Sequence, residues 1–280
     1  MALKIFLLVT FGLPICAVAS TVHGLPTDEK LTRSSLQDYK ESIGMYDGSL
    51  TTIQKHPYMV ALITSNYDIG FYCAGNIVTN SWVITTAFCL QSQVPSSVTV
   101  IAGTNDPTAA GGSEYPVTTL VQHPKYGSAT GWEDYNYGCV KVSGKFRWST
   151  KIKPTRLPNA EVSVNTNMMV AGWGATTYDD DDPTHPLRQG WMRWYDVEIC
   201  ATEYKVWLGL NWTNRMACAY NRGKTTLCRE DFGAGLVHGG VLYGMFAGTG
   251  DMFCSQYSSP ALLADVKTGV PWLRKITGAK

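Results

Sequence analysis

Residues 73–89 read CAGNIVTNSWVITTAFC. Inside this stretch Trp82-Val83-Ile84-Thr85-Thr86 is a short run of aromatic and β-branched residues behind the turn-forming Asn80-Ser81, the composition of a strand. The same texture continues on both sides. Residues 58–64, 98–102, 115–121, 168–171 and 241–246 are short, rich in β-branched and aromatic side chains, and bounded by Gly, Pro, Asn or Ser. Helical periodicity is weak until the end of the chain. There Val270, Leu273 and Ile276 recur at helical spacing near Trp272 and predict one short C-terminal helix lying on the body. Many strands and one late helix point to an all-β architecture, either barrels or a sandwich. No internal repeat is visible.

The chain has 280 residues, 45% of them hydrophobic, and a formal net charge of +1. That length supports one large domain or two small ones with a sizeable core. A near-neutral balance removes the usual electrostatic reason to expect a nucleic-acid partner. Lys4, the apolar run at residues 5–11 and the small residues Ala17-Val18-Ala19 read as a signal peptide over residues 1–19, with the mature chain starting near Ser20. Residues 20–44 are polar and read as a flexible lead segment without cysteine. No later stretch is long and apolar enough to predict a transmembrane helix. The expected location is therefore extracellular and oxidising.

Of eight cysteines, Cys16 leaves with the signal peptide. Cys73, Cys89, Cys139, Cys200, Cys218, Cys228 and Cys254 remain, an odd set that implies bridges plus one thiol or an intermolecular bond. Sequence alone does not pair them. Asp179 to Asp182 is an acidic run before Pro183. It reads as a solvated loop rather than a calcium site, since the turn-setting glycine of a calcium loop is missing. Asn211-Trp212-Thr213 is a glycosylation acceptor. No HExxH, P-loop or CxxC pattern occurs, so no metal or cofactor is expected.

With these runs in place, residues 45–280 resemble the chymotrypsin-like (S1) serine proteases, in a texture close to the arthropod members. The resemblance rests on His56-Pro57-Tyr58, on Cys73-Ala74-Gly75-Asn76-Ile77-Val78 with the Trp82 to Ala87 run, and on His123-Pro124-Lys125-Tyr126. Val170-Ala171-Gly172-Trp173-Gly174, Leu236-Val237 and Gly244 carry it further. It implies two antiparallel six-stranded β-barrels with a cleft between them. It also implies the bridges Cys73–Cys89, Cys200–Cys218 and Cys228–Cys254. Cys139 is then unpaired, a small buried core residue in preference to a link between two chains.

The same alignment empties the catalytic roles. The family's T-A-A-H-C is Thr86-Ala87-Phe88-Cys89 here, so Phe88 stands at the histidine. Asn136 stands at the aspartate and Phe232 at the serine, in Glu230-Asp231-Phe232-Gly233. Glu230 occupies the oxyanion glycine. Phenyl rings neither take a proton nor attack a carbonyl. The base of the substrate pocket is Thr226 and its wall Ala247, Gly248 and Thr249, so no carboxylate awaits a basic side chain. At the activation site Gly44-Met45-Tyr46-Asp47-Gly48 lacks the Arg or Lys for cleavage, while the partner aspartate of the new terminus is retained as Asp231. A zymogen-like, unprocessed arrangement is expected. None of His23, His56, His123, His185 and His238 lies in a triad motif.

The expected function is that of a secreted pseudoprotease: a monomer that binds an extracellular protein or peptide as cofactor, decoy or regulator. In the resembling arthropod homologues such roles belong to immunity, saliva or seminal fluid. An enzyme with rebuilt chemistry and a structural secreted glycoprotein are the alternatives.

Overall fold

The computed structural model describes residues 45, 47–65, 71–127, 133–175, 186–222, 224–250 and 259–280. A two-residue strand, β1 (Ser49–Leu50), precedes β2 (Met59–Thr64), β3 (Phe71–Ile77), β4 (Trp82–Thr85), β5 (Val98–Ala102), β6 (Ser113–Gln122) and β7 (Gly138–Val142). Strands β2 to β7 close into a barrel in the order β2-β3-β4-β7-β6-β5. There follow β8 (Asn167–Gly172), β9 (Arg188–Trp194), helix α1 (Val197–Leu208), β10 (Met216–Tyr220), β11 (Gly235–His238), β12 (Val241–Gly248), β13 (Ala261–Asp265) and helix α2 (Val266–Thr277). Because β8 pairs with both β9 and β11, these six strands also form a ring, β8-β9-β10-β13-β12-β11. β1 extends the free edge of β9, with Ser49 opposite Gln189 and Leu50 opposite Arg188. Two closed antiparallel barrels leave no long unpaired strand edge, which removes the usual template for aggregation.

Strand β2 shows why the sequence alternates so little. Val60 and Leu62 point into the first barrel, packing with Val100 and Val140. Met59 and Ala61 belong to the cluster between the barrels, which takes in Trp173, Met245 and, from α2, Val270 and Leu273. Successive side chains on a strand face opposite ways. Both faces of β2 are buried, so an unbroken apolar run is what the barrel seam requires.

The expected C-terminal helix is α2. Asp265 caps it, its Oδ1 accepting the Thr268 N–H at 2.8 Å, and Gly278 ends it in the left-handed conformation. The expectation of a single helix is corrected by α1. Its caps were written in the chain: Asp196 Oδ1 accepts the Glu198 N–H at 2.8 Å, and Gly209 closes the helix with a positive φ. Its apolar stripe was not. Only Cys200 and Tyr204 are buried, while Val197, Ile199, Val206, Trp207 and Leu208 are exposed. A helix held by two residues one turn apart gives little periodic signal.

Cys73 and Cys89 are joined, as are Cys200 and Cys218. Cys228 is disulfide-bonded, and Cys254, assigned to it from the resemblance, lies outside the described residues. Cys139 is a free, buried thiol in β7, and burial pushes its pKa far up. Among the described residues no helix is long and apolar enough to cross a membrane.

Candidate functional site

Three segments deliver the residues that the resemblance assigns to the triad positions. Phe88 opens the 3-10 turn Phe88–Leu90 just past β4, tied down by the Cys73–Cys89 bridge. Asn136 lies two residues before β7, and Phe232 lies in the loop before β11. The structure brings all three together. The Phe88 and Phe232 rings meet at 4.9 Å between centroids, tilted by 51°. Phe232 in turn stacks on Phe246 at 5.5 Å. The Asn136 Oδ1 accepts the Phe88 N–H at 2.9 Å, and its Nδ2 is buried without an acceptor among the described residues. Phe88 keeps 38% of its surface exposed, so the aromatic cluster reaches the outside. Chemically, these three side chains supply apolar surface and one amide.

The loop carrying Phe232 is rigidly anchored. The Phe232 carbonyl accepts from Ala74 N–H at 2.8 Å, and the Gly233 N–H donates to the Phe246 carbonyl at 2.8 Å. Gly233 has φ +84°, and a Cβ there would lie 2.2 Å from the Ala74 carbonyl oxygen, so no other residue fits. Glu230 is different. It has φ +65°, a region that favours glycine, yet carries a side chain whose Oε2 accepts from Ala175 N–H at 3.3 Å. Ala175 N–H also reaches the Arg229 carbonyl at 3.0 Å, so that donor does not depend on Glu230. Relief of that backbone strain favours Glu230→Gly by about 1 kcal/mol before the other contacts of the glutamate are counted, and the urea midpoint reads the balance. A drop of that size would mean that the glutamate contacts outweigh its backbone strain.

Asp231 is fully buried. Its Oδ1 accepts from Gly174 N–H at 2.8 Å and its Oδ2 from Cys228 N–H at 3.1 Å. Gly172 and Gly174 make room for it, since a Cβ at either would collide with the carboxylate. No cation pairs with it among the described residues. Burial pushes its pKa from 3.8 up to about 7, against the pull of the two backbone donors. Met45 is buried with Met192 and Leu227, and the residue before it lies outside the described residues.

Of the positions that the resemblance assigns to the substrate pocket, Thr226 and Ala247 are buried and Thr249 is partly buried; Gly248 sits at a register shift where β12 passes β13. Residues 251–258, which follow them, lie outside the described residues, as do Asp179 to Asp182, His23, His185 and Gly44. The three described histidines are engaged elsewhere. His56 Nε2 meets Gln189 Oε1 at 2.8 Å, His123 stacks on Tyr135 at 4.6 Å, and His238 Nδ1 meets the Asn167 carbonyl at 2.9 Å. Asn211 is exposed just past α1, its Oδ1 accepting from Lys205 Nζ at 2.9 Å. Thr213 of the same acceptor donates its hydroxyl to Asp134 at 2.9 Å.

One buried carboxylate near the site carried no signal in the sequence. Asp134, two residues before Asn136, is clamped by Arg215, Nε to Oδ1 at 2.7 Å and Nη2 to Oδ2 at 2.8 Å. The Arg215 guanidinium also covers the Tyr135 ring at 4.1 Å. The two partners are 81 positions apart, so neither announces the other.

Comparison with known proteins agrees with this architecture. The sequence profile of the family described as "Trypsin" matches residues 45–273. A trypsin of Simulium vittatum is 31% identical over 224 residues, covering 77% of this chain and 85% of that relative. Trypsin 5G1 of Aedes aegypti is 26% identical over 279 residues, covering 98% of this chain and 99% of the relative. Trypsin delta of Drosophila melanogaster is 29% identical, covering 81% and 85%. Among solved structures, neuropsin, a serine protease expressed in the limbic system of mouse brain, superposes with a TM-score of 0.71 at 22% identity, over 82% of this chain and 98% of that one. Two closed barrels, the loop order around the groove and a profile that spans the described core lead to one conclusion: the chain belongs to the trypsin family of serine proteases.

Proposed function

We propose that this member of the family is secreted, does not cleave peptides, and acts by binding an extracellular protein or peptide in the groove between its barrels, as cofactor, decoy or regulator. The observation that carries the reading is the contact between Phe88 and Phe232 at 4.9 Å, with Asn136 bonded to the Phe88 backbone. Where the family needs a nucleophile, a base and an orienting carboxylate, this groove offers two phenyl rings and an amide. The exposed Phe88 ring, backed by the partly buried Phe232, suits an apolar side chain of a partner, the kind of anchor that dominates protein interfaces. The named relatives are trypsins, and the reading rests on Phe88, Asn136 and Phe232 standing where the resemblance puts the family's chemistry. Secretion and a glycan on Asn211 accompany this reading. Because Thr213 is engaged with Asp134 in the folded protein, the glycan would be attached before the domain closes.

Crosslinking mass spectrometry on the native secretion tests it. Crosslinks from one partner should cluster on residues flanking Phe88 and Phe232. Phe88→Asp places a charge on the exposed ring position and should weaken capture of that partner by about tenfold or more. Capture at unchanged affinity would move the binding surface away from the groove and favour a structural role.

A further inference from the structure

We propose a second binding site, in the pocket beside His56, for a small organic anion: one anionic head on an apolar, ring-sized body. The pocket encloses about 750 Å³, the size of a small-molecule site. It is built where the turn before β2 and the 153–155 segment face the second barrel, and none of Phe88, Asn136, Phe232 and Thr226 lines it. It is therefore independent of the groove.

Its charge has one sign. Lys55 and Lys153 line it, and no Asp or Glu does. The Lys153 N–H donates to the Pro57 carbonyl at 2.8 Å, which holds the two lysine-bearing segments side by side. Neither ammonium has an ion-pair partner among the described residues. An anion held between the two side chains would be attracted by both charges.

The wall beyond the rim is apolar. Trp191 lines the pocket with 51% of its surface exposed, beside Pro57, Pro154 and Met169. A tryptophan left this open inside a concave surface is unusual for a residue whose burial is so favourable. The pocket thus grades from a cationic rim to an aromatic and apolar wall. A carboxylate or sulfonate on an aryl or acyl body matches that order.

The test uses the full secreted chain and 8-anilinonaphthalene-1-sulfonate as probe, titrated by calorimetry and fluorescence. One saturable site is expected. Lys55→Ala with Lys153→Ala should weaken it by about tenfold or more, and Trp191→Ala should weaken it at unchanged salt dependence. All three side chains are exposed, so thermal unfolding should stay near that of the wild type. The uncharged N-phenyl-1-naphthylamine should fail to displace the probe. Displacement by octanoate or by 1-naphthoate distinguishes an acyl from an aryl ligand. Absence of saturable binding overturns the proposal. So does binding indifferent to the lysine and Trp191 variants, or binding lost instead with Val206→Ser on the exposed face of α1.

Discussion

Incubated with a fluorophosphonate probe or with peptide esters, the purified protein should show no acylation, at a rate at least about a millionfold below that of an active trypsin. Fluorophosphonate labelling requires a hydroxyl whose proton is taken by a neighbouring base. The resemblance puts Phe232 at that position, its ring held between Phe88 and Phe246. Phe232→Ser alone should remain unlabelled, because it restores a hydroxyl beside a phenyl ring and an amide. The nearby thiol does not substitute. Cys139 is buried in β7, and burial disfavours its thiolate. Cys139→Ala should accordingly change nothing in these assays. Labelling of the Phe232→Ser protein would reveal a base in the groove that the present geometry does not identify, and the non-catalytic reading would go with it.

How much of this was legible beforehand differs by element. Strands such as Val98–Ala102 were readable because β-branched residues pack well on a pleated surface. Their closure into two barrels came from the resemblance, since a run buried on both faces, like Met59–Thr64, has no alternation from which to infer its neighbours. Helix α1 was missed because its apolar residues face solvent, though Asp196 and Gly209 marked both ends. At the site, the resemblance singled out Phe88, Asn136 and Phe232 by position. Their mutual packing was not legible, because ring contacts across 144 residues leave no local trace. The same holds for Asp134 with Arg215, and for the pocket beside His56, which separate segments of the chain assemble.

Between about pH 4 and pH 7 the stability of the folded chain should fall as pH rises, and Asp231 should be the main reason. Its pKa stands near 7 in the folded protein against 3.8 ordinarily, so the folded state holds this proton longer than the unfolded chain does. The stabilisation is complete below the unfolded value and is lost as pH climbs through the folded one. For a fully buried group with that difference, the loss amounts to about 4 kcal/mol. Asp265 adds to it over a narrower window, its carboxyl raised to about 6 by burial. His56 works in the other direction. Burial lowers its pKa, so the folded state resists protonating it and gains stability as pH rises towards 6.5. Asp231→Asn isolates the first contribution: urea unfolding followed from pH 4 to pH 8 should give a clearly flatter profile than the wild type. The variant also loses one backbone acceptor, since its amide nitrogen cannot receive the bond that Oδ2 takes from Cys228 N–H. The wild type should therefore be the more stable of the two at pH 4, with the gap closing or reversing by pH 8. Parallel profiles would mean that a cation already neutralises Asp231. If Asp231 is the amine partner that the resemblance makes it, that cation would be the α-amine of Met45, and sequencing from the N-terminus would find the chain cut there.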